Sequence, residues 1–505
     1  MGCEDDISNG PDAMSGKIIE ADGEKGYAAP PPFEGDMLGE MSETERAVYD
    51  DGIKRFSRLG WKRLTVVLIV EAIALGSLSI PSTFAALGMV AGVICCVGLG
   101  LVAIYTSYIV GQVKLAFPQI ANYADAGRLM GDRIAALLIR MIKPVFPRIA
   151  NFAERGRVIG GHCGYELVNL MLALQLLFLT GSHCLTGTIA WMNITESNVC
   201  SVVFAVVSAI ILLLLAIPPS FTEVAILGYV DFASIIIAIG ITIIGTGVSS
   251  TNAPGGLAAV PWSAWPKDNL TFTEAFIAVS NIIFAYSFAM CQFSFMDEMH
   301  TPKDFVKSIW ALGLTEILVY TLTGALVYAF VGQDVSSPAL TSAGSLLSRI
   351  AYGVALPVIF ISGSINTVVF GRLIHGRIFA NSPIRFINTK MGWITWLAII
   401  TGATVLAFVI AEVIPFFNDL LSISSALFIS GFTFYFPAVM WFLLIREGGW
   451  LEPRNLLLTV TNAFIFIIGM ITLVGGAYSS IDDIVSLHCL TRAVRWDTNQ
   501  STLTD

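Results

Sequence analysis

Residues 70–84 read VEAIALGSLSIPSTF, and this stretch decides the fold. It is apolar enough to lie in a bilayer, yet Glu71, Gly76, Ser77, Ser79 and Pro81 interrupt it. Backbone at membrane depth must be hydrogen-bonded internally, so a helix cut by glycine and proline is tolerated only where it faces protein, water or a ligand. Two readings follow. Either the helix opens here so that its freed amides and carbonyls hold a solute, or Pro81 kinks it for packing alone.

Around this stretch the 505-residue chain is 55% hydrophobic and 13% charged, with a mean hydropathy of +0.76. Apolar windows of about 20 residues cross a bilayer core as helices. Such windows fall at 64–84, 87–111, 166–191, 201–217, 224–246, 272–295, 308–331, 348–370, 393–414, 421–445 and 456–478, eleven in all. Continuous windows of this length argue against an alternating-strand barrel and for an all-α polytopic membrane protein.

The net charge of −9 is unevenly spread, because residues 1–51 hold 14 acidic and 3 basic side chains. Residues 1–55 therefore read as a disordered acidic cytosolic leader, 56–478 as the transmembrane domain, and 479–505 as a short C-terminal tail. No concentrated basic footprint points to nucleic acid.

Basic residues order the spans across the membrane. Lys54, Arg55, Arg58, Lys62 and Arg63 precede the first span, and eight more lie between Lys114 and Arg157. Alternate loops continue the bias, which places the N-terminus in the cytosol by the positive-inside rule. Two sequons, at Asn193 and Asn269, then fall in outer loops as glycosylation candidates. Cys184 and Cys200 lie near the same outer end, where a disulfide and two free thiols are both open readings.

A second interruption lies in the sixth span, NIIFAYSFAMCQFSF, where Asn281, Tyr286, Ser287 and Gln292 stand in an apolar run. If spans one to five and six to ten are paired halves, spans one and six correspond, as in inverted-repeat transporters. The first span, with its Gly and Pro, reads as the more strongly broken of the two.

Glu71 is the most conspicuous intramembrane charge. Ionised at the bilayer centre it costs about 2.5–3.5 kcal/mol by insertion scales, so it reads as a proton carrier or as a gate partner near the cytosolic surface. In the eighth span, Ser362, Ser364 and Asn366 supply oxygens suited to a coupling cation, while the same small residues also suit helix packing. Glu166, Asp231, Glu316 and Glu412 are secondary intramembrane acids. No Walker A sequence and no cysteine–histidine metal pattern is present, so neither ATP hydrolysis by the chain itself nor a metal site is expected.

The segments VEAIALGSLSIPSTFAALGMVAGV and GLGLVAIYTSYIVGQVKLAFPQIANYADAGRLM resemble the amino acid/auxin permease family. Within it, the chain is most similar to fungal neutral amino acid permeases of the methyltryptophan-resistance type. The resemblance covers residues 56–478. It implies a five-plus-five inverted repeat with broken helices one and six, followed by an eleventh helix, and it implies substrate contacts at Gly76, Ser77, Leu78 and Ser79 of the first span and at Phe284, Tyr286, Ser287 and Phe288 of the sixth. It also implies import of neutral L-amino acids by proton symport, with sodium coupling as the alternative driving ion and no cofactor. The implied address is the plasma membrane, with the vacuolar membrane as the alternative. A non-transporting amino acid receptor needs the same pocket and remains a second reading.

Overall fold

The computed structural model describes residues 60–142, 147–197, 199–219, 221–297, 299–379 and 389–487. The leader expected over 1–55 lies outside them. The described chain is a helical bundle. Helix α1 covers Trp61–Leu87, α2 Met89–Ala116, α3 Tyr123–Ile142, α4 Pro147–Thr195, α5 Ser201–Leu215 and α6 Phe221–Asn252. After an exposed loop come α7, Phe272–Ala285, and α8, Gln292–Asp297. Then follow α9, Phe305–Val331, α10, Ser345–Ile378, and α11, Lys390–Val413. The last two are α12, Phe417–Ile445, and α13, Pro453–Leu487.

Among the described residues, nine helical segments are long and apolar enough to cross a membrane, α7 and α8 together counting as one. Two shorter apolar stretches, Leu75–Leu87 at the end of α1 and Ser201–Leu215, accompany them. Helix α3 is amphipathic and lies between membrane-length segments. Pro147 stands at the first position of α4, where a missing N–H costs no helical hydrogen bond. The tail expected from residue 479 begins later, because α13 continues to Leu487.

The packing follows an inverted-repeat-like rule. Helix α1 lies against α7, α2 against α9, α4 against α10, and α5 against α11. The members of each pair stand five crossings apart in the expected span order, an odd number, so they run in opposite directions. Burial separates centre from shell: 83% of the apolar window of α7–α8 is buried, against 22% of that of α13. The apolar faces of α13, α2, α9 and α11 are correspondingly the least buried.

Helices α3 and α4 approach so closely that side chains have no room between them. A Cβ on Gly127 would stand 2.7 Å from the Gly164 carbonyl oxygen, and one on Gly131 would collide with that of Gly160. Small residues spaced by four put backbone against backbone on one helix face. A Gly131→Leu variant should therefore lose about 1–3 kcal/mol of stability by overpacking. Gly98→Ala, where a Cβ meets nothing within 4 Å, should not. Thermal unfolding of the two variants in detergent makes the comparison; equal midpoints would remove the α3–α4 contact from the account.

Candidate functional site

The sixth span is broken where its polar residues lie. Helix α7 stops at Ala285, Tyr286 and Ser287 leave helical geometry, and a 3-10 turn over Phe288–Cys291 leads into α8. Carbonyls freed by such a break need donors, and other helices supply them. The Tyr320 hydroxyl of α9 lies 3.1 Å from the Ala285 carbonyl oxygen and 2.8 Å from that of Ala72 on α1, so its one proton serves both. The Thr433 hydroxyl of α12 reaches the Tyr286 carbonyl at 3.4 Å. Tyr286 itself donates to the Cys96 carbonyl of α2 at 2.9 Å.

Helix α1 corrects an expectation. Despite Gly76 and Pro81 it is one continuous α-helix, and Pro81 lies inside it. Its hydroxyls turn back onto it. Ser79 donates to the Gly76 carbonyl at 3.0 Å, Ser82 to that of Ser79 at 2.7 Å, and Thr83 to that of Ile80 at 2.7 Å. Pro81 withholds the backbone donor that the Ser77 carbonyl would have in a regular helix, and the three hydroxyl bonds fall on other carbonyls of the same helix. The more strongly punctuated span is intact and the more weakly punctuated one is open.

Gly76 is nonetheless at the junction. A Cβ there would stand 2.8 Å from both Cα and Cβ of Ala285 and 3.3 Å from the Tyr320 hydroxyl. The two expected halves of the site thus meet, Gly76 against the end of α7. Ser77, Leu78, Ser79, Phe284, Tyr286 and Phe288 are all buried, and Ser287 is half-buried. The rings of Tyr286 and Tyr320 meet edge to face at 5.3 Å between centroids.

Two turns along α1 from Gly76, and one turn back along α7 from Ala285, a cleft of about 460 Å³ opens. Thr83 of α1 and Asn281 of α7 line it, with Phe417 and Asn418 of α12. The opposite end of the bundle, where α1 begins, is closed. Tyr123 at the start of α3 is fully buried, its ring edge-on to Phe293 and Phe432 at 4.9 and 5.0 Å, and its hydroxyl donates to the Phe432 carbonyl at 2.9 Å. That carbonyl sits in a π-helical turn of α12 just before Pro437, which has no N–H to offer it. Lys114 holds the approach to Tyr123 by donating to the Pro118 and Ile120 carbonyls. Across the same end, one guanidinium nitrogen of Arg377 of α10 donates to both carboxylate oxygens of Glu166 of α4, at 2.7 and 2.8 Å.

The described bonds of the eighth-span candidates run to α6 and to α10 itself. Ser362 donates to the Asp231 carboxylate of α6 at 3.1 Å, and the Asn366 amide donates to the Ser362 carbonyl at 3.1 Å. Ser364 is turned onto its own helix, donating to the Ile361 carbonyl at 2.7 Å. The side chain of Glu71 lies outside the described residues. Asn193 stands in the last turn of α4, its amide bonded to the Ile189 carbonyl at 2.8 Å, whereas Asn269 is exposed in a turn. Cys184 and Cys200 are free thiols, the first buried and the second exposed.

Tyr320, Thr433 and Tyr123 were not singled out from the sequence. A tyrosine in an apolar span does demand a partner for its hydroxyl. Which carbonyl it finds depends on packing between segments far apart in the chain.

A helical bundle with inverted-repeat-like pairing, a broken central helix and a cleft at one end defines a polytopic membrane transport protein. Residues 57–482 match the family model described as transmembrane amino acid transporter protein, and the chain belongs to that family. It is therefore a transporter and not an enzyme. It is 58% identical to the N amino acid transport system protein of Neurospora crassa, over 87% of each chain. It is also 26% identical to a transmembrane transporter of Gibberella moniliformis, over 89% of this chain and 90% of that one. Among solved structures, the inward-facing conformation of Mhp1 shares the fold with a TM-score of 0.50 and 12% identity, covering 85% of this chain and 90% of that one.

Two predictions follow from the junction. Gly76→Val should abolish uptake while the protein still inserts, because its side chain drives α1 from Ala285; Ser77→Leu should act in the same way. Tyr320→Phe keeps the ring and leaves the buried Ala285 carbonyl without this donor, with an expected loss of about 1–3 kcal/mol of stability, read as a lower thermal midpoint in detergent. Uptake assays on cells with surface-quantified protein check the first, and wild-type rates in correctly inserted variants would place the site elsewhere.

The closed end also carries a pH signature. Burial pushes the Asp125 carboxyl above its ordinary range, although the Ala121 and Asn122 amides that it accepts from, with Arg128 and Lys114, pull it down. With the folded value raised, its contribution to stability is full at acid pH and is lost as pH rises through that value. Wild type should therefore lose ground to Asp125→Asn on going from acid to neutral pH. A midpoint difference that stays constant with pH would contradict this.

Proposed function

We propose that this protein imports neutral amino acids by proton symport through alternating access, with sodium as the competing driving ion. The observation that carries the reading is the Tyr286–Ser287 break, packed against Gly76 below a cleft open at one end of a bundle whose other end is shut. A break at the bundle centre offers backbone amides and carbonyls to a zwitterion, and Leu78, Phe284, Tyr286 and Phe288 offer its side chain an apolar wall. The name of the Neurospora relative supports an amino acid as cargo. A largely apolar wall favours neutral side chains.

The nine long segments with α1 and α5 make eleven spans in this reading. The positive-inside bias puts the closed Tyr123 end in the cytosol and the cleft outside, so the conformation is the one that loads from outside. Transport requires the break and α1 to separate from α9 and α12 as the bundle rocks. Proton and substrate must shift that equilibrium together. Glu71 and the Ser362–Asn366 segment are the proposed coupling residues, with Ser364 in a supporting position, and the proposed address is the plasma membrane.

The test is uptake of labelled neutral amino acids by purified protein in liposomes, with proton and sodium gradients imposed separately. Accumulation with protons alone is expected, and Glu71→Gln should weaken it more than it weakens exchange. Dependence on sodium alone would replace the proton; absence of saturable uptake in intact protein would leave binding without transport.

A further inference from the structure

The mouth of the cleft holds two carboxyl groups with no assigned role. Helices α12 and α13 run antiparallel, and the Ser422 and Ser480 hydroxyls meet between them at 2.7 Å. One turn further out on each helix the same register brings Asp419 of α12 opposite Asp483 of α13. The two carboxyls interact directly, and both line the cleft. Asp419 is 3% exposed, and its Oδ1 has no hydrogen-bond partner. Asn281, lining the same cleft from α7, is 1% exposed, and its Oδ1 is likewise unpartnered.

Among the described residues, charges on the neighbouring elements do not neutralise this pair. Glu274 of α7 lines the cleft and is ion-paired to Lys267 at 2.7 Å, which occupies that ammonium. Asp482 of α13 accepts from the Thr273 hydroxyl at 3.2 Å and adds only further negative charge. From α1 the cleft receives Ser82, Thr83 and Ala86, and from α4 Ile189, none of them ionisable. The lining residues therefore include three acids and no base. Two carboxylates in contact, one of them almost wholly buried, repel each other strongly enough that ionising both is disfavoured without a cation between them.

We propose that Asp419 and Asp483 hold a single proton between them and form the proton-loading site at the mouth of the transport path. The proposal rests on the symport reading. The proton is covalently bound to one carboxyl oxygen and hydrogen-bonded to the other. Its departure into the cleft leaves two carboxylates, whose repulsion drives the ends of α12 and α13 apart. Loading therefore joins the two helices over the cleft and release separates them, which ties occupancy by the proton to the shape of the mouth. The unpartnered Asn281 oxygen, near the inner end of the cleft, is placed to accept a hydrogen bond from an ammonium that follows.

The experiment uses the full chain in liposomes, as wild type, Asp419→Asn, Asp483→Asn and Asp483→Glu, each first shown to exchange labelled amino acid. In wild type the apparent affinity for the amino acid should improve by up to about tenfold per unit fall in external pH, as linkage to one proton requires. Either Asn variant should flatten that dependence, and Asp483→Glu, which keeps a carboxyl, should retain it. An unchanged slope in the Asn variants overturns the proposal, as does a wild-type slope that follows sodium and not protons. If wild type shows no proton-driven accumulation, the symport reading falls by itself. Infrared difference spectra then judge the pair: a protonated-carboxyl band lost in Asp419→Asn sustains the shared proton, and a band identical in both proteins ends it.

Discussion

The hydroxyl of Tyr320 is the contact on which the centre of this bundle depends. One proton, placed between the carbonyls of Ala72 and Ala285, joins α1, α7 and α9 at the depth where α7 stops. In hydrocarbon no water would take its place, and an unmatched carbonyl there costs several kcal/mol. The break over Tyr286–Ser287 is stable because its carbonyls are met by Tyr320 and Thr433. Those donors sit on elements of their own, so any movement of α9 or α12 against the break changes its hydrogen bonding directly.

This arrangement explains why the two ends of the molecule differ. At the end where α1 begins, Tyr123 is fixed by Phe293, Phe432 and a carbonyl of α12, and Arg377 bridges α10 to Glu166. At the other end, polar and acidic groups line open space. The aromatic closure spans α3, α8 and α12, and α8 and α12 also flank the central break. Opening one end and closing the other therefore engage the same elements, which is what alternating access asks of a bundle.

The α3–α4 contact has a supporting role. Its glycines bring the two backbones together, and α3 carries Tyr123 at its first residue. The close approach fixes the direction in which that ring enters the bundle. An exposed ion pair such as Arg377–Glu166 contributes little by itself, so the closed end is held chiefly by buried rings and by the Lys114 and Tyr123 hydrogen bonds.

What the sequence determined by itself was the class of the molecule and the neighbourhood of its centre. Span lengths and the distribution of lysine and arginine follow from the cost of placing charge and bare backbone in lipid, and that cost acts on every residue locally. The meeting of Gly76 with the Phe284–Phe288 region was legible for the same reason, since polar residues in apolar spans mark where protein faces protein. Only the tertiary structure decided which helix breaks. Helix α1 runs on through Pro81 with Ser79, Ser82 and Thr83 bonded back onto it, whereas the carbonyls of Ala285 and Tyr286 are satisfied by residues 35 and 147 positions away. Ser362 likewise found Asp231, 131 residues distant, and Asp419 found Asp483. A hydrogen bond between distant segments is set by packing geometry, which no local pattern of residues encodes.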